Sequence, residues 1–512
     1  MTDIIPVGRE HNPFSRNDTR VDSRGRTCYE GLPDTLIAAL HARVDVDPEA
    51  EAVVELGGER LTYRQLWDRS ARVAGGLRAR GLARGDRVAI RYAAGVNWVL
   101  AFYGTIMAGG VVVAVNTRSA QPEVEFVLAD SGTRIDLAAD DPLPDGDPFV
   151  VDGLTASDTA GMFYTSGTTG SPKGVPTEHL AFLSNAMTMA RTIGTPFDIG
   201  RGLRTLISVP LFHVTGCNSQ LLFVHLFGGA AVIMPALDRE GLLTALVEER
   251  ISFLVTVPAV YALLLRTPGF EDVDRSSVQW VGYGGAPIAP SLVKAIQEGF
   301  PTAEVFNGYG MTETASLMTV LPHTDAVEHA DSVGYAVPTV DLGVVPHDPA
   351  DPTLGELVAR GPNITSAYWN RPEATREAID TEGWLRTGDI VRVDDAGRVR
   401  IVDRTKDIII RGGENISSIE VESALVAAPG VLEAAVLAVP DDVMGEKVGA
   451  VVFGGEEIPD TGAVVEHCRA MLADFKVPQY LVITDGPLPR NAGGKLLKAR
   501  LRASVEWGEP LR

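Results

Sequence analysis

Residues 164–175 read Tyr164-Thr165-Ser166-Gly167-Thr168-Thr169-Gly170-Ser171-Pro172-Lys173-Gly174-Val175. Hydroxyls, glycines and one lysine share a single turn-rich stretch, a combination suited to the phosphates of a nucleotide. Glycines let backbone N–H groups converge on an anion, the Thr and Ser hydroxyls bridge phosphate oxygens, and Lys173 brings a mobile positive charge. The order of residues is informative. A Walker loop has Gly directly before its Lys and Ser or Thr directly after it, whereas Pro172 precedes Lys173 and Gly174 follows. A P-loop ATPase or kinase is therefore disfavoured.

Two flanking stretches, 92–117 and 205–237, contain no Asp, Glu, Lys or Arg and are long enough to cross a membrane. Their punctuation argues otherwise. A helical run ending near Met107 meets Gly109-Gly110 and then the Val-rich run 111–115; Leu221 to Phe227 meets Gly228-Gly229 and then 230–234. Helix, Gly-Gly stop and buried strand make an αβ unit of a parallel sheet, whose strands read as continuous apolar runs. The spacing predicts two related layered halves and no transmembrane segment.

A first unit, 32–160, alternates strand and helix patterns: a short strand ends at Leu61-Thr62-Tyr63, a helix spans 63–80 and a strand 87–92. A second, 161–346, places strands at 252–257 and 279–282 and a helix at 290–300. From Gly355 to Arg404 the pattern turns to short strands and turns. The final unit alternates again. The expected organisation is a polar arm at 1–30, a large domain at 31–405 and a small domain at 406–512, with the boundary near Lys406.

The chain has 512 residues, 45% apolar and 22% charged, which fits a multidomain globular protein. A formal charge of −22 argues against nucleic acid and anionic lipid as partners, since both need a positive surface. Cys28, Cys217 and Cys468 are widely spaced and form neither a disulfide framework nor a metal-ligand pair, as expected of a reducing cytoplasm.

Further motifs follow strands in order: Gly284-Gly285-Ala286-Pro287, Asn307-Gly308-Tyr309-Gly310-Met311-Thr312-Glu313, Gly383-Trp384-Leu385-Arg386-Thr387-Gly388-Asp389, Asp403-Arg404-Thr405-Lys406-Asp407, Arg411-Gly412-Gly413-Glu414-Asn415-Ile416 and Pro489-Arg490-Asn491-Ala492-Gly493-Gly494-Lys495. Strand-to-loop edges are where α/β sheets bind ligands. With these motifs in order over residues 61–501, the chain resembles the ATP-dependent acyl-adenylate-forming (AMP-binding) superfamily, in its acyl-CoA synthetase branch. The resemblance implies an α/β fold, with a large N-terminal domain of layered αβ subdomains and a β-rich third subdomain, followed by a small mobile α+β C-terminal domain. It also implies two half-reactions: a carboxylate attacks the α-phosphate of ATP to give acyl-adenylate and pyrophosphate, then a thiol takes the acyl group and AMP leaves.

On that resemblance, Thr165, Ser166, Gly167, Thr168, Thr169 and Lys173 hold the β- and γ-phosphates, and Glu313 with Thr168 holds Mg²⁺, a hard cation that prefers oxygen. Gly285, Ala286, Pro287, Asn307 and Gly308 border the nucleotide, with Tyr309 stacking on adenine and Asn307 bonding its edge. Thr312 touches the α-phosphate, and Asp389, with Arg404 beside it, accepts bonds from the ribose hydroxyls. Lys495 resembles the catalytic lysine that bridges the attacking carboxylate and the α-phosphate, Lys406 the hinge, and His213 the gate of the acyl pocket. Gly412, Gly413 and Glu414 resemble the loop that admits coenzyme A. Two departures are Glu178, where relatives carry Thr before the His, and a short segment between Asp136 and Ala160.

Val214, Gly216, Cys217, Tyr283, Gly284 and Ala315 are expected to wall the acyl pocket. No cation among them would hold a second carboxylate, and no acid an amino group. A hydrophobic acid follows, a medium- to long-chain fatty acid ahead of an aryl acid. The expected acceptor is coenzyme A, with an acyl carrier protein as the alternative. The reading from another class is a noncatalytic acyl or nucleotide sensor, against which Lys495, Glu313 and Asp389 stand intact.

Overall fold

A computed structural model describes residues 4–165, 172–286, 288–404, 407–411, 414–441, 443–455, 458–490 and 496–511. Its largest element is a nine-stranded sheet in the order Tyr335–Ala336, Ser316–Leu321, Glu304–Met311, Trp280–Gly284, Phe253–Thr256, Arg204–Ile207, Ala230–Ile233, Glu51–Glu55, Arg60–Thr62. The run from Glu304–Met311 to Glu51–Glu55 is parallel throughout, and the outer pairings are antiparallel. A second sheet of five strands runs Lys173–Glu178, Thr159–Thr165, Val111–Ala114, Arg87–Ile90, Thr133–Leu137.

Both charge-free stretches form the predicted αβ junctions. Helix Val96–Met107 stops at Gly109, whose φ of 83° lies in the left-handed region, and the buried strand Val111–Ala114 follows. In the second, a π-helical turn Cys217–Leu221 precedes the short helix Leu222–Leu226, then Gly228 at φ 78° and strand Ala230–Ile233. The two strands lie in different sheets, one in each αβ layer. Among the described residues no helix is long and apolar enough to cross a membrane. Helix Tyr63–Ala79 starts where the strand pattern ended, because Thr62 and Gln65 form a reciprocal capping box.

The nine-stranded sheet is apolar on both faces. Alternation sends Phe253, Val255, Trp280 and Phe306 to one side, with Cys217, Leu221, Phe223 and Phe182. It sends Leu254, Val281, Tyr283 and Val305 to the other, against helices Arg239–Glu248, Pro258–Leu264 and Pro290–Gly299.

The β-rich segment is an antiparallel sheet of Asp341–Asp348, Asp351–Arg360, Leu385–Val393 and Val399–Arg404, with Ile5–Pro6 as its edge strand. The polar arm is thus held in place. Arg9 Nη1 donates to the carbonyls of Val337 and Val340 at 3.3 and 3.2 Å, Asn12 Nδ2 to Ala336 O at 2.8 Å, and Arg16 pairs with Asp341 at 2.5 Å. The last unit has its own core, with Ile409, Val421, Leu425, Val436, Val448 and Cys468 among its members. Its sheet is built around the antiparallel pair Glu433–Asp441 and Gly445–Phe453.

Candidate active site

Strands Thr159–Thr165 and Lys173–Glu178 are antiparallel with Lys173 opposite Thr165, so the two ends of the opening stretch lie side by side. Thr165 and Lys173 are both half-buried. Ser166, Gly167, Thr168 and Thr169 lie outside the described residues, as do Pro287, Lys406, Gly412, Gly413 and Lys495. The Lys173 ammonium lies 4.8 Å from the centroid of the Tyr368 ring, and the Tyr368 hydroxyl donates to Glu313 Oε1 at 2.8 Å. Glu313 is only 6% exposed. One aromatic ring thus joins Lys173 to the carboxylate after strand Glu304–Met311. A cavity of about 40 Å³ adjoins Glu313, lined by Thr177, Glu178, Thr312, Asn363 and Thr365. Burial pushes the Glu178 carboxyl above its ordinary range, against the pull of Arg26 and Arg24.

Strand Glu304–Met311 also carries Asn307, Gly308 and Tyr309. Gly308 is paired with Gly284, where a Cβ would sit 2.3 Å from the Gly308 carbonyl oxygen, so only glycine permits this approach. Gly285, at φ 75°, turns the chain toward Ala286. The Tyr309 hydroxyl donates to Asp389 Oδ2 at 2.5 Å, and Arg404 Nε approaches Asp389 Oδ1 at 3.1 Å. Asp389 and Arg404 are register partners on adjacent strands, which fixes their meeting. Burial, then the Asp389 carboxylate, pushes the Tyr309 hydroxyl well above its ordinary range. Asp389 is therefore gripped from both sides before any ribose arrives.

Thr312–Thr314 forms one 3₁₀ turn, and the two residues after it are left-handed: Ala315 at φ 49° and Ser316 at φ 112°. Such backbone costs about 1–3 kcal/mol per residue and persists only where its surroundings over-determine it. Three buried amides do so here. Asn218 Nδ2 donates to Ala315 O at 3.0 Å, Asn363 Nδ2 to the carbonyls of Thr314 and Leu317, both at 2.8 Å, and Asn185 Oδ1 accepts from Leu317 N at 3.0 Å. The Ser219 and Ser316 hydroxyls add a 2.7 Å bond. Asn218 and Ser219 belong to the π-helical turn that follows His213 and Val214, so the same turn links the His213 segment to the strained loop.

His213 Nε2 is enclosed without a hydrogen-bond partner among the described residues, and burial, then the Arg118 charge, lowers the imidazole to about 4. It is neutral at physiological pH. The expected acyl wall divides. Cys217 packs into the core on one side of the nine-stranded sheet and Tyr283 into the core on the other, so the wall residues do not share one surface. Gly216 is crowded by the Pro210 carbonyl, 2.5 Å from where a Cβ would stand.

Next to Lys406, Asp403 is 1% exposed and accepts from Arg404 N at 2.6 Å and from both the backbone N–H and the hydroxyl of Ser418. Asp407 pairs with Arg502 at 2.6 Å and Glu422 with Lys498 at 2.7 Å. Glu414 is exposed on strand Glu414–Ile416, opposite Arg411. Of the basic run near the C-terminus, Lys498 and Arg502 thus serve as structural anchors.

Sequence reasoning missed Tyr368 and the asparagines 185, 218 and 363. Tyr368 lies in an unremarkable Ala-Tyr-Trp-Asn segment; the asparagines had one faint signal, the polar run Asn218-Ser219-Gln220 inside an otherwise apolar stretch.

The AMP-binding enzyme family model matches residues 40–153 and 133–369, and the model of its C-terminal domain matches 420–495. The chain is 36% identical to long-chain-fatty-acid–CoA ligase FadD13 of Mycobacterium tuberculosis, over 90% of this chain and 97% of the ligase. It is 35% identical to a feruloyl-CoA synthase of Amycolatopsis, again over 90% and 97%. Among solved structures, ATP-bound MatB of Rhodopseudomonas palustris superposes with a TM-score of 0.83 at 30% identity, covering 92% of this chain and 98% of MatB. The o-succinylbenzoate CoA synthetase of Bacillus subtilis, holding its acyl-adenylate, gives 0.83 at 28% identity, covering 92% and 99%. With both of its parts matched and its site residues on the strand ends just described, the chain belongs to the AMP-binding enzyme family and is an ATP-dependent, AMP-forming acid–thiol ligase.

Proposed function

We propose that the chain activates a monocarboxylic acid with an apolar body, of fatty-acyl or aryl-acyl type, and passes it to coenzyme A. ATP supplies the adenylyl group that makes the carboxylate a competent acyl donor, since an oxide is otherwise too poor a leaving group. The donor set fits the partners: one carboxylate beside hydroxyls suits Mg²⁺, and a lysine in a glycine-rich stretch suits phosphate. Glu313 holds the metal, with Thr168 of the loop. Lys173 and the loop hydroxyls hold the pyrophosphate portion, and Asp389, steadied by Arg404 and Tyr309, orients the ribose. Thr312 lies beside the α-phosphate, and Lys495 stabilises charge that builds there as the acid attacks. Lys406 is the hinge between half-reactions, and Gly412, Gly413 and Glu414 border the entry of the thiol.

The observation that carries this reading is the Lys173–Tyr368–Glu313 bridge, a cation and a carboxylate held on one ring at the ends of two different sheets. The neutral walls Val214, Gly216, Cys217 and Ala315 support an apolar acid over a dicarboxylate or amino acid. ATP–pyrophosphate exchange over a panel of fatty, aryl, dicarboxylic and amino acids tests it, followed by mass spectrometry with coenzyme A or a carrier protein as acceptor. Exchange with the apolar monocarboxylates and an acyl-CoA product are expected. Exchange confined to dicarboxylic or amino acids refutes the substrate class, and no exchange with any acid refutes the ligase reading.

A further inference from the structure

On the face of the nine-stranded sheet toward helices Pro258–Leu264 and Pro290–Gly299, three adjacent strands end in hydroxyl groups. Thr256 and Tyr283 are in-register partners, so their side chains stand on the same face. Each is 1% exposed, and neither hydroxyl has a hydrogen-bond partner among the described residues. Ser208 continues the row. Leu206 is paired with Leu254, so two residues further on Ser208 lies level with Thr256, and its Oγ is likewise enclosed and unpartnered among the described residues.

A buried hydroxyl without a partner costs about 1–3 kcal/mol. The chain avoids that cost at several other buried tyrosines, though not at Tyr92. Tyr261 donates to Leu254 O and Gly282 O, Tyr63 to Gly229 O, Tyr103 meets His225, and Tyr29 meets Thr188. Tyr261 and Tyr283 share one core cluster, so lack of acceptors in that layer does not explain the difference.

The row's position is informative. Tyr283 directly precedes the Gly284-Gly285-Ala286 turn, and the strands step away from Glu304–Met311, which leads to Glu313. At about 5 Å per strand, Thr256 lies roughly 10 Å and Ser208 roughly 15 Å across the sheet from that strand. An acid whose carboxylate is beside Thr312 and whose body crosses the strand ends would bring its far end to these hydroxyls.

We infer that this row is the distal end of the acyl site, and that the acid carries an oxygen function remote from its carboxylate, a hydroxyl or ether, which Tyr283 and Thr256 hydrogen-bond. The inference rests on the proposed activation of an apolar monocarboxylate and names a subclass of it. Either hydroxyl can donate to such an oxygen, and either can accept from a hydroxyl. The expected discrimination is about tenfold per neutral hydrogen bond, because the analogue lacking the oxygen leaves the protein group unpaired again.

The test is ATP–pyrophosphate exchange by the full chain on paired acids: 4-hydroxycinnamate against cinnamate, and 10-hydroxydecanoate against decanoate. The oxygenated member of at least one pair should have a kcat/KM about tenfold higher or more. Tyr283→Phe and Thr256→Val should each shrink that ratio, and together bring it close to one, chiefly through loss on the oxygenated acid. Parity or reversed preference in the wild-type protein overturns the inference, and this comparison stands even if a variant fails to fold. So does an unchanged ratio in a variant that melts like the wild type, which would make the hydroxyls a site for water only. Exchange with the unsubstituted acids alone leaves the ligase reading intact while this inference fails; absence of exchange with every acid removes both.

Discussion

The Tyr368 hydroxyl donates a 2.8 Å hydrogen bond to Glu313 Oε1 while the face of its ring lies 4.8 Å from Lys173 Nζ. The phenol orients a buried carboxylate, and the ring's negative face attracts the ammonium. Tyr368→Phe removes only the first contact and Tyr368→Leu removes both. The half-saturating Mg²⁺ concentration in pyrophosphate exchange should therefore rise about tenfold in Tyr368→Phe, for a bond of about 1.5 kcal/mol to a charged group. Tyr368→Leu should add a rise in KM for ATP. Equal loss of kcat in both, with neither constant moved, would reduce Tyr368 to packing.

The strained pair Ala315 and Ser316 gives a second test. Asn218→Ala should destabilise the protein by about 1–2 kcal/mol through the lost bond to Ala315 O. Ala315→Gly relieves left-handed strain worth about 1 kcal/mol at a position with φ 49°. Denaturant melts of the two single variants and the double variant check this, and the glycine should recover part of the asparagine's loss. A glycine variant less stable in both backgrounds would mean that the methyl group's packing outweighs the strain.

Acid should weaken the fold before most carboxylates titrate. Burial lowers His179, His213 and His225 each to about 4. The Ala52 carbonyl can only accept, so His225 donates through Nε2 and accepts from Tyr103 at Nδ1, which fixes it as a neutral tautomer. Folded-state values lie below the unfolded one, so their contribution is complete above about pH 6.5 and is lost as pH falls toward 4. Each imidazole then adds a slope of about 1.4 kcal/mol per pH unit. Urea midpoints measured between pH 6.5 and 5 should fall steadily, and His225→Gln should flatten the dependence. A level profile would contradict neutral burial.

The role proposed for Lys495 gives a test that separates the half-reactions. Lys495→Ala should abolish adenylate formation but largely spare thioester formation from supplied acyl-adenylate, measured as acyl-CoA release. An equal fall in both would place the residue outside the attack on the α-phosphate.

Much of this was legible in the sequence because strand ends are marked locally. Glycines at 284–287 announce the turn at Gly285 that ends strand Trp280–Gly284, and Asp389 and Arg404 lie in consecutive short strands. Asn307 to Met311, expected to follow a strand, instead belong to strand Glu304–Met311 and pair with the strand after it. What was not legible depends on pairing across distance. Tyr368 meets Glu313 across 55 residues, and Asn363, Asn218 and Asn185 reach the turn after Glu313 from separate elements. The acyl wall divides for a simpler reason. Closeness to the motifs groups its residues along the chain, whereas strand alternation sends Gly282 and Tyr283 to opposite faces, and Cys217 belongs to the face that Tyr283 leaves.

The N-terminal arm has a consequence for synthesis. The carbonyls that receive Arg9 lie 328 and 331 residues downstream, and Ile5 and Pro6 pair with Val344 and Gly343. At about 5–20 residues per second the ribosome needs roughly 15–70 s to supply those partners. During that interval the arm has no sheet edge to join, although the αβ layers between can already form. Residues made early are therefore among the last to find their place, and the arm closes the third sheet only after the chain around it has emerged.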